Sequence, residues 1–277
     1  MYDFHYGQAQ KIMENESEYL LFLKRLLPRW LNGIPDSEFL SIYSILDKKL
    51  KRVNNPIFVE TGVGASTILL YYFASKYNGI LFSWDSNASK GREVGSIINE
   101  SICRSFNESL YKHWRFIGSS SLSKHLGINI LAELGYTVDF CFLDSYHTLN
   151  NIISELKLIK ECISNRSIVS IDDANYNNID ENYSFINIQR AKLGLSKVQE
   201  PKNNLGGMYK DMIGDYLSNN FFSVEKIEEY ATMQKNNEIY FNYYSVDKGI
   251  QNDFGMEKLD NLGNRFAAWE VFKDRLV

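Results

Sequence analysis

The stretch Pro56-Ile-Phe-Val-Glu-Thr-Gly-Val-Gly-Ala-Ser-Thr67 predicts a strand, a tight turn and the start of a helix. Its β-favouring residues follow a proline, and the apolar run after Thr67 is too long for a second hairpin strand. Gly62 and Gly64 leave room for a ligand near the backbone N–H groups of a helix start. Glu60 would repel phosphate and favour a cationic ligand. The turn therefore suits a nucleotide-like ligand, although Thr67 stands where a nicotinamide fingerprint has its third glycine.

Composition narrows the class of protein. The chain has 277 residues, 44% of them hydrophobic, which suits one large α/β domain with a sizeable core. Its net charge of −4 argues against nucleic acid and anionic membranes as partners. The sequence has no long apolar span and no recognisable signal peptide, so we expect a cytoplasmic location. Three unevenly spaced cysteines without a C-x-x-C pair indicate ordinary buried or half-buried thiols: Cys103, Cys141 and Cys162.

Three regions are predicted along the chain. Helical periodicity from about Gln8 to Leu27, and a second helix capped by Asp36 or Ser37 and ending near Arg52, make residues 1–52 a helical cap over the core. Residues 53–248 form the core, with an acceptor loop or lid at about 174–215. Residues 249–277 form a tail, with a helix through its aromatic residues, that packs on the core or on a second subunit. A homodimer is therefore one of the expected states.

Strands and helices alternate through the core. Strands are predicted over 79–85, 114–118, 139–144 and 167–173, with helices over 96–110 and 149–162. Strands over 221–227 and 238–245 are expected to follow. Apolar strands separated by helices are typical of a parallel, doubly wound α/β sheet. Ligands bind such sheets at the carboxyl ends of the strands, where these acids fall: Glu60, Asp85, Asp144, Asp172 and Asp173.

The motifs between about residues 50 and 175 resemble the S-adenosylmethionine site of class I methyltransferases. They are Phe58-Val-Glu-Thr-Gly-Val-Gly-Ala-Ser-Thr67, Asp85 after the second strand, and Ile117-Gly-Ser-Ser120. The resemblance implies a Rossmann-like sheet of seven strands, the last inserted antiparallel. It also implies that the glycine turn approaches the methionine part, that Asp85 receives the ribose hydroxyls and that Ser119 or Ser120 lies beside the adenine. The implied cofactor-binding residues are Glu60, Thr61, Gly62, Gly64, Ser66, Asp85, Ser86, Gly118, Ser119, Ser120 and Asp144.

The physical properties of two acids agree with these implied roles. A carboxylate at position 85 has acceptor lone pairs for two vicinal hydroxyls. A carboxylate at position 60 would attract the positively charged ammonium or sulfonium group of the cofactor. Each acid taken alone could instead be a helix cap or a solvated loop residue.

A second set of residues is similar to the metal-dependent O-methyltransferases, both the catechol type and the type that methylates macrolide sugars. Leu143-Asp-Ser-Tyr-His147 is followed by Ile171-Asp-Asp173. The double aspartate matches the macrolide-sugar type, whereas the catechol type usually has Asp-Asn. The resemblance implies one Mg²⁺ held by Asp144, Asp172 and Asp173. Hard oxygen ligands without cysteine are what Mg²⁺ prefers.

His147 stands where the catechol type carries its lysine base. An imidazole near neutrality could take the proton of a metal-bound hydroxyl, so we interpret His147 as the candidate catalytic base. Asp172 could be the base instead, and His147 could merely cap the next helix or orient a ligand. The remaining histidines stand alone, and His113 and His125 are interpreted as surface or core residues.

Together these patterns predict an S-adenosylmethionine-dependent, Mg²⁺-assisted O-methyltransferase. Its acceptor would be a hydroxyl of a small molecule such as a sugar, a phenol or a natural-product intermediate. Two alternatives stay open. One is a metal-independent methyltransferase of the same fold, in which Asp172 and Asp173 are only caps. The other is a non-catalytic binding protein that keeps the fold.

Overall fold

The computed structural model describes residues 14–146, 148–172, 209–221, 223–227 and 266–272, together with positions 191, 194 and 196. Its strands form one seven-stranded sheet in the order β3-β2-β1-β4-β5-β7-β6. β1 to β5 pair in parallel, and β7 pairs antiparallel with both β5 and β6. The strands are β1 (Ile57–Thr61), β2 (Ile80–Trp84), β3 (Trp114–Ile117), β4 (Val138–Leu143), β5 (Ile163–Ile171), β6 (Ser223–Lys226) and β7 (Ala267–Phe272).

Helices cover both faces of this sheet. Side chains of α1 to α4 share one buried apolar cluster with the first face, and those of α7 to α9 share another with the second face. The prediction of a mostly parallel α/β sheet with helices on both sides is confirmed. The described helices are α1 (Glu16–Leu26), α2 (Asp36–Lys49), α3 (Ala65–Lys76), α4 (Ala88–Ile98), α5 (Arg104–Phe106), α6 (Leu110–His113), α7 (Asn129–Glu133), α8 (Leu149–Lys160) and α9 (Tyr209–Asn220).

Main-chain hydrogen bonds bring the ends of four strands into one row. Gly62 N–H donates to the last carbonyl oxygen of β2 at 2.8 Å, and Asp144 N–H donates to that of β1 at 2.8 Å. Asp172 N–H donates to the last carbonyl oxygen of β4 at 3.1 Å. Asp85 N–H donates in the same way to the last carbonyl of β3, at 3.2 Å. The residues that follow β2, β1, β4 and β5 therefore lie side by side at the carboxyl edge, where a parallel sheet binds ligands.

The N-terminal helices pack on α3 and on each other through buried apolar residues and ion pairs. Glu16 on α1 accepts two hydrogen bonds of 2.8 Å from Lys76 on α3. Asp36 is not the cap of α2, because the helix begins at Asp36 itself after Pro35. Its carboxylate instead pairs with Lys24, at 2.8 Å, and with Arg25. Since Lys24 is fully buried, this pair fixes α1 against the start of α2.

The helix predicted through Phe266, Trp269 and Phe272 is wrong. These residues belong to or adjoin β7, which lies between β5 and β6. Phe266 and Ala268 pack in the apolar cluster of the first face, and Trp269 in that of the second. Because the strand is covered on both faces, its apolar residues are nearly continuous and their aromatic spacing imitates a helix. The segment predicted as a tail thus supplies a strand of the core sheet.

Other predicted boundaries also shift. The helix predicted from residue 96 begins at Ala88, after Asn87 caps it by accepting from Ser89 N–H at 3.1 Å. β5 begins at Ile163, four positions before its predicted start. The predicted strand at 238–245 and most of the predicted acceptor loop at 174–215 lie outside the described residues. All three cysteines are buried and free, as predicted. None of the described helices is long and apolar enough to cross a membrane.

Candidate functional site

Two adjoining pockets form a cleft at the carboxyl ends of β1, β2, β4 and β5. The first pocket has a volume of about 260 Å³ and the second about 230 Å³. Both are lined by Gly62, Lys90, Asp144 and Ser145. The first pocket is also lined by Trp84, Asp85, Ser86, Ser119, Ser120, Ser121, Tyr146 and Asn151. The second is also lined by Trp30, Leu31, Gly33, Ile34, Val63, Gly64, Ala65, Ser66 and Asp172.

Gly62 joins the two pockets at the turn between β1 and α3. Its φ of +92° lies in the left-handed region, which disfavours any side chain. A Cβ atom here would lie 1.9 Å from the backbone oxygen of Asp144. Only glycine therefore allows the end of β4 to pass this close to the turn. This packing leaves the backbone of the turn open toward both pockets.

Asp85 is held in place at the rim of the first pocket. Its Oδ2 accepts from Val63 N–H at 3.0 Å, and its Oδ1 accepts from Asn87 N–H at 2.7 Å. Lys90 Nζ lies 3.2 Å from the same Oδ2. The carboxylate thus fastens the glycine turn to the start of α4. It also presents acceptor oxygens where the sequence predicts a partner for ribose hydroxyls.

Glu60 lies beneath the turn and lines neither pocket. It is fully buried, and its carboxylate accepts hydrogen bonds from Ser66, Thr67 and Ser83 at 2.5, 2.8 and 3.0 Å. Burial raises the pKa of Glu60 to about 7, against the lowering effect of these hydroxyls. Glu60 is predicted to balance the positive charge of a cofactor. From its position beneath the turn it would do so through its electric field and by supporting the turn, and not by direct contact.

The raised pKa of Glu60 predicts a pH-dependent cost in stability. Below pH 4.5 the carboxyl group is protonated in the folded and unfolded chains alike. Between pH 4.5 and about 7 the unfolded chain ionises while the folded chain keeps its proton, so the free energy of unfolding falls as the pH rises. We expect a loss of about 3 kcal/mol over this window that Glu60→Gln removes.

Denaturant unfolding at half-unit steps from pH 4.5 to pH 8 measures this difference. The other buried acids of the cleft, Glu155 and Asp172, are unchanged in both proteins, so subtracting the two curves isolates Glu60. Parallel curves for Glu60→Gln and the wild type would show that Glu60 ionises freely in the folded chain.

Glu155 on α8 is a second buried carboxylate that organises the cleft from the other face of the sheet. It accepts from Ser121, Ser145 and Thr61 at 2.5, 2.7 and 3.3 Å, and burial raises its pKa. Ser145 in turn accepts from Asn151 Nδ2 at 2.8 Å. Three polar side chains of the first pocket are thereby fixed in one chain of hydrogen bonds. Sequence reasoning missed this residue, although an acid within the apolar stripe of α8 was a usable signal.

The structure brings most of the predicted cofactor residues together. Asp85, Ser86, Ser119 and Ser120 line the first pocket, Gly64 and Ser66 line the second, and Gly62 and Asp144 line both. Three predicted residues line neither pocket, and Glu60, beneath the turn, is one of them. The hydroxyl of buried Thr61 is turned to Glu155, and Gly118 is exposed before the serines. His147 and Asp173 lie outside the described residues.

Two of the three predicted metal ligands lie together. Asp144 and Asp172 follow neighbouring strands, and both line the second pocket. Asp172 is only 3% exposed, and acids are seldom buried to this degree unless they are paired. Within the described ranges no group of three or more metal-binding side chains occurs, and the third predicted ligand, Asp173, is not among them. Two carboxylates fit the oxygen chemistry of Mg²⁺ without completing a site.

Neither of the isolated histidines that the structure describes lines either pocket. His113 is buried, and its Nδ1 lies 2.8 Å from the backbone oxygen of Gly79. His125 is exposed on the surface. Their predicted interpretation as core and surface residues is confirmed.

Lys90 and Trp30 are two further cleft residues that sequence reasoning missed. Lys90 lies on the first turn of α4, and Trp30, which is 49% exposed, comes from the turn between α1 and α2. Neither forms part of a recognisable motif. Their positions depend on how distant segments pack, so no local pattern could have found them.

No family model and no curated protein matches the chain. Among solved structures, a Haemonchus contortus phosphoethanolamine N-methyltransferase 2, in complex with phosphomonomethylethanolamine and S-adenosylhomocysteine, is 11% identical. The match covers 92% of this chain but 57% of that one, so the chain spans little more than half of its length, at a TM-score of 0.47. A TDP-rhamnose 3′-O-methyltransferase of calicheamicin biosynthesis is 15% identical over 68% of this chain and 86% of that one, at 0.43.

A geranyl diphosphate C-methyltransferase from Streptomyces coelicolor A3(2), in complex with Mg²⁺, geranyl diphosphate and S-adenosylhomocysteine, is 10% identical. That match covers 84% of this chain and 77% of that one, at a TM-score of 0.47. Likenesses at this level do not assign the chain to a family.

Proposed function

We propose that this protein binds S-adenosylmethionine and transfers its methyl group to a hydroxyl of a small molecule. The observation that carries the proposal is the juxtaposition of Asp85, Gly62 and the serines after β3 around the first pocket. A fixed carboxylate, an open glycine turn and a polar wall are what a nucleoside with two vicinal hydroxyls needs.

The proposed cofactor lies along the cleft. Its ribose hydroxyls would donate to Asp85, and its adenine would lie beside Ser119 and Ser120. The amino acid part would then cross Gly62 toward Gly64 and the second pocket. In this position the reactive methyl group comes near the boundary of the two pockets, which is where an acceptor must meet it.

The proposed acceptor occupies the second pocket. Leu31 and Ile34 give this pocket an apolar side, and Trp30 stands at its rim. Asp144 and Asp172 give it a polar end that suits a hydroxyl group. A small molecule with an apolar part and at least one hydroxyl matches this lining.

Asp144 and Asp172, with Asp173 as a third ligand, are the residues that we propose to hold Mg²⁺. A bound divalent cation would lower the pKa of the acceptor hydroxyl. Asp172 or His147 would take the proton from that oxygen as it attacks the methyl group. Removal of water by the apolar side of the pocket would strengthen these interactions.

A metal-independent methyltransferase is the second candidate, favoured by one observation. Asp172 is a buried carboxylate, 3% exposed, that lines the proposed acceptor pocket. Asp172 alone would then act on the acceptor proton. Turnover that survives exhaustive treatment with a chelator would support this candidate over the metal-assisted one.

The decisive test of the cofactor site is Asp85→Ala. We expect the affinity for S-adenosylhomocysteine to fall by about 1–3 kcal/mol, because two ribose hydroxyls lose a charged acceptor. Titration calorimetry of wild type and variant measures the change. Unaltered affinity would remove Asp85 from the site, and a wild-type protein that does not bind the ligand would overturn the proposed function.

Asp139→Ala is the matched control. Asp139 also holds β1, since its Oδ2 accepts from Ile57 N–H at 2.9 Å, but it does so at the opposite end of the strand from the cleft. Each variant loses two hydrogen bonds to its carboxylate, from two backbone N–H groups at Asp85 and from Ile57 N–H and the Ser164 hydroxyl at Asp139. Only the loss at Asp85 should weaken the binding of S-adenosylhomocysteine.

The acceptor can be sought by a screen in which the methyl group of labelled cofactor is transferred to compounds in metabolite extracts.

A further inference from the structure

Lys90 occupies the junction of the two pockets. Among the described residues that line the pockets it is the sole lysine or arginine, whereas Asp85, Asp144 and Asp172 contribute carboxylates. Its side chain is 31% exposed and is held by a flexible stem, so its ammonium group can move within the cleft.

The ion pair of Lys90 conflicts with full use of Asp85 by a nucleoside. A carboxylate offers about four acceptor positions. Two of those on Asp85 are filled by the N–H groups of Val63 and Asn87, and the ammonium of Lys90 takes a third at 3.2 Å. Two ribose hydroxyls need two positions. The ammonium group must therefore leave Asp85 when both hydroxyls bind.

The proposed cofactor brings the partner that the displaced ammonium needs. Its amino acid part carries a carboxylate into a cleft that already contains three carboxylic side chains. The hydroxyl of Ser66 lines the same pocket but donates to Glu60 at 2.5 Å, so it is engaged elsewhere. The amino acid part also carries an ammonium group, which a carboxylate of the cleft can bind, so it is the ligand's carboxylate that needs a cation.

We propose that Lys90 binds the α-carboxylate of the cofactor and, in moving to it, releases Asp85 to the ribose. This inference rests on the proposed function. Lys90 would then contribute to binding of the amino acid part of the ligand and not to binding of its nucleoside part. In the empty cleft the Lys90–Asp85 pair keeps both groups neutralised. In the filled cleft each group has a ligand partner of opposite charge or of matching hydrogen-bond type.

Lys90→Met tests the proposal with two ligands. S-adenosylhomocysteine has the carboxylate, and 5′-deoxy-5′-methylthioadenosine keeps the nucleoside and thioether but lacks the amino acid part. We expect the affinity for S-adenosylhomocysteine to fall about tenfold, because a partly exposed charge pair is lost. The affinity for methylthioadenosine should stay unchanged or rise, because Asp85 no longer has a competing cation.

Two further variants make the result specific. Lys90→Arg keeps the positive charge and should retain the affinity for S-adenosylhomocysteine within about threefold. Lys112→Met removes a surface lysine that pairs with Glu108 at 2.8 Å, away from both pockets, and should change neither affinity. Wild-type binding of S-adenosylhomocysteine should also weaken with added salt more than that of methylthioadenosine.

Each remaining outcome overturns the assignment. Equal losses for both ligands would mean that Lys90 only supports the pocket, and equal gains would mean that it only competes for Asp85. No change for either ligand would remove Lys90 from the site. A wild-type protein that binds neither ligand would overturn the proposed function itself, and this assignment with it.

Discussion

Gly62→Ala is expected to weaken S-adenosylhomocysteine binding by more than about a hundredfold and to destabilise the fold by about 2–4 kcal/mol. The new Cβ would lie 1.9 Å from the backbone oxygen of Asp144, at a φ of +92°. Backbone cannot give way as a flexible side chain can, so the turn and the end of β4 must separate. Both pockets share these two segments, so both would change shape.

Gly135→Ala separates the two causes of this effect. Gly135 also has a positive φ, +75°, but a Cβ there meets nothing within 4 Å. Its substitution should cost only the strain of the left-handed backbone, about 1–2 kcal/mol, with no effect on the ligand. Chemical unfolding and calorimetry of the two variants give the comparison. Equal stability losses and retained binding in both would show that the close approach at Gly62 is not needed for the site.

The strand, turn and helix around Gly62 could be predicted because their determinants are local. Glycine at a positive φ, β-favouring residues before it and an apolar helix after it all lie within about twenty residues. The acids at the strand ends followed from the same logic, since parallel strands place their carboxyl ends at one edge. What could not be read locally was the direction in which each side chain points.

Glu60 illustrates that limit. Adjacent residues of a strand face opposite sides of the sheet, so Glu60 and Thr61 point away from each other. Three hydroxyls converge on Glu60 from α3 and β2, and the hydroxyl of Thr61 reaches Glu155 on the other face. The sequence shows an acid before a glycine turn. It does not show whether that acid faces the ligand or supports the turn from below.

Two buried carboxylates thus lie under the floor of the cleft, one on each face of the sheet. Each is costly to bury and each is compensated by three hydroxyl donors. This arrangement fixes the polar side chains at the end of β1 while leaving the backbone of the turn accessible. Sites that hold such groups rigidly commonly give up stability for preorganisation. The pH-dependent cost expected for Glu60 is one measurable form of that loss.

Asp172→Asn is expected to lower kcat by about 10²–10⁴-fold and to leave the affinity for S-adenosylhomocysteine within about threefold. Asp172 lines the second pocket and not the first. Its loss should therefore affect the reaction of the acceptor and not the binding of the nucleoside. The asparagine keeps the shape of the side chain and removes its charge. Asp139→Asn, at the other end of the sheet, is the control for a general effect of removing a partly buried acid.

The magnesium dependence of the Asp172→Asn variant separates its two proposed roles. A lost metal ligand weakens the response to Mg²⁺, so turnover should recover at saturating Mg²⁺. A lost base leaves that response intact but removes the acid limb of the pH–rate profile at every Mg²⁺ concentration. The same measurements on His147→Ala show which of the two residues takes the proton. Turnover near the wild-type rate in Asp172→Asn, at all Mg²⁺ concentrations, would exclude both roles and leave His147 as the residue to which the chemistry must be assigned.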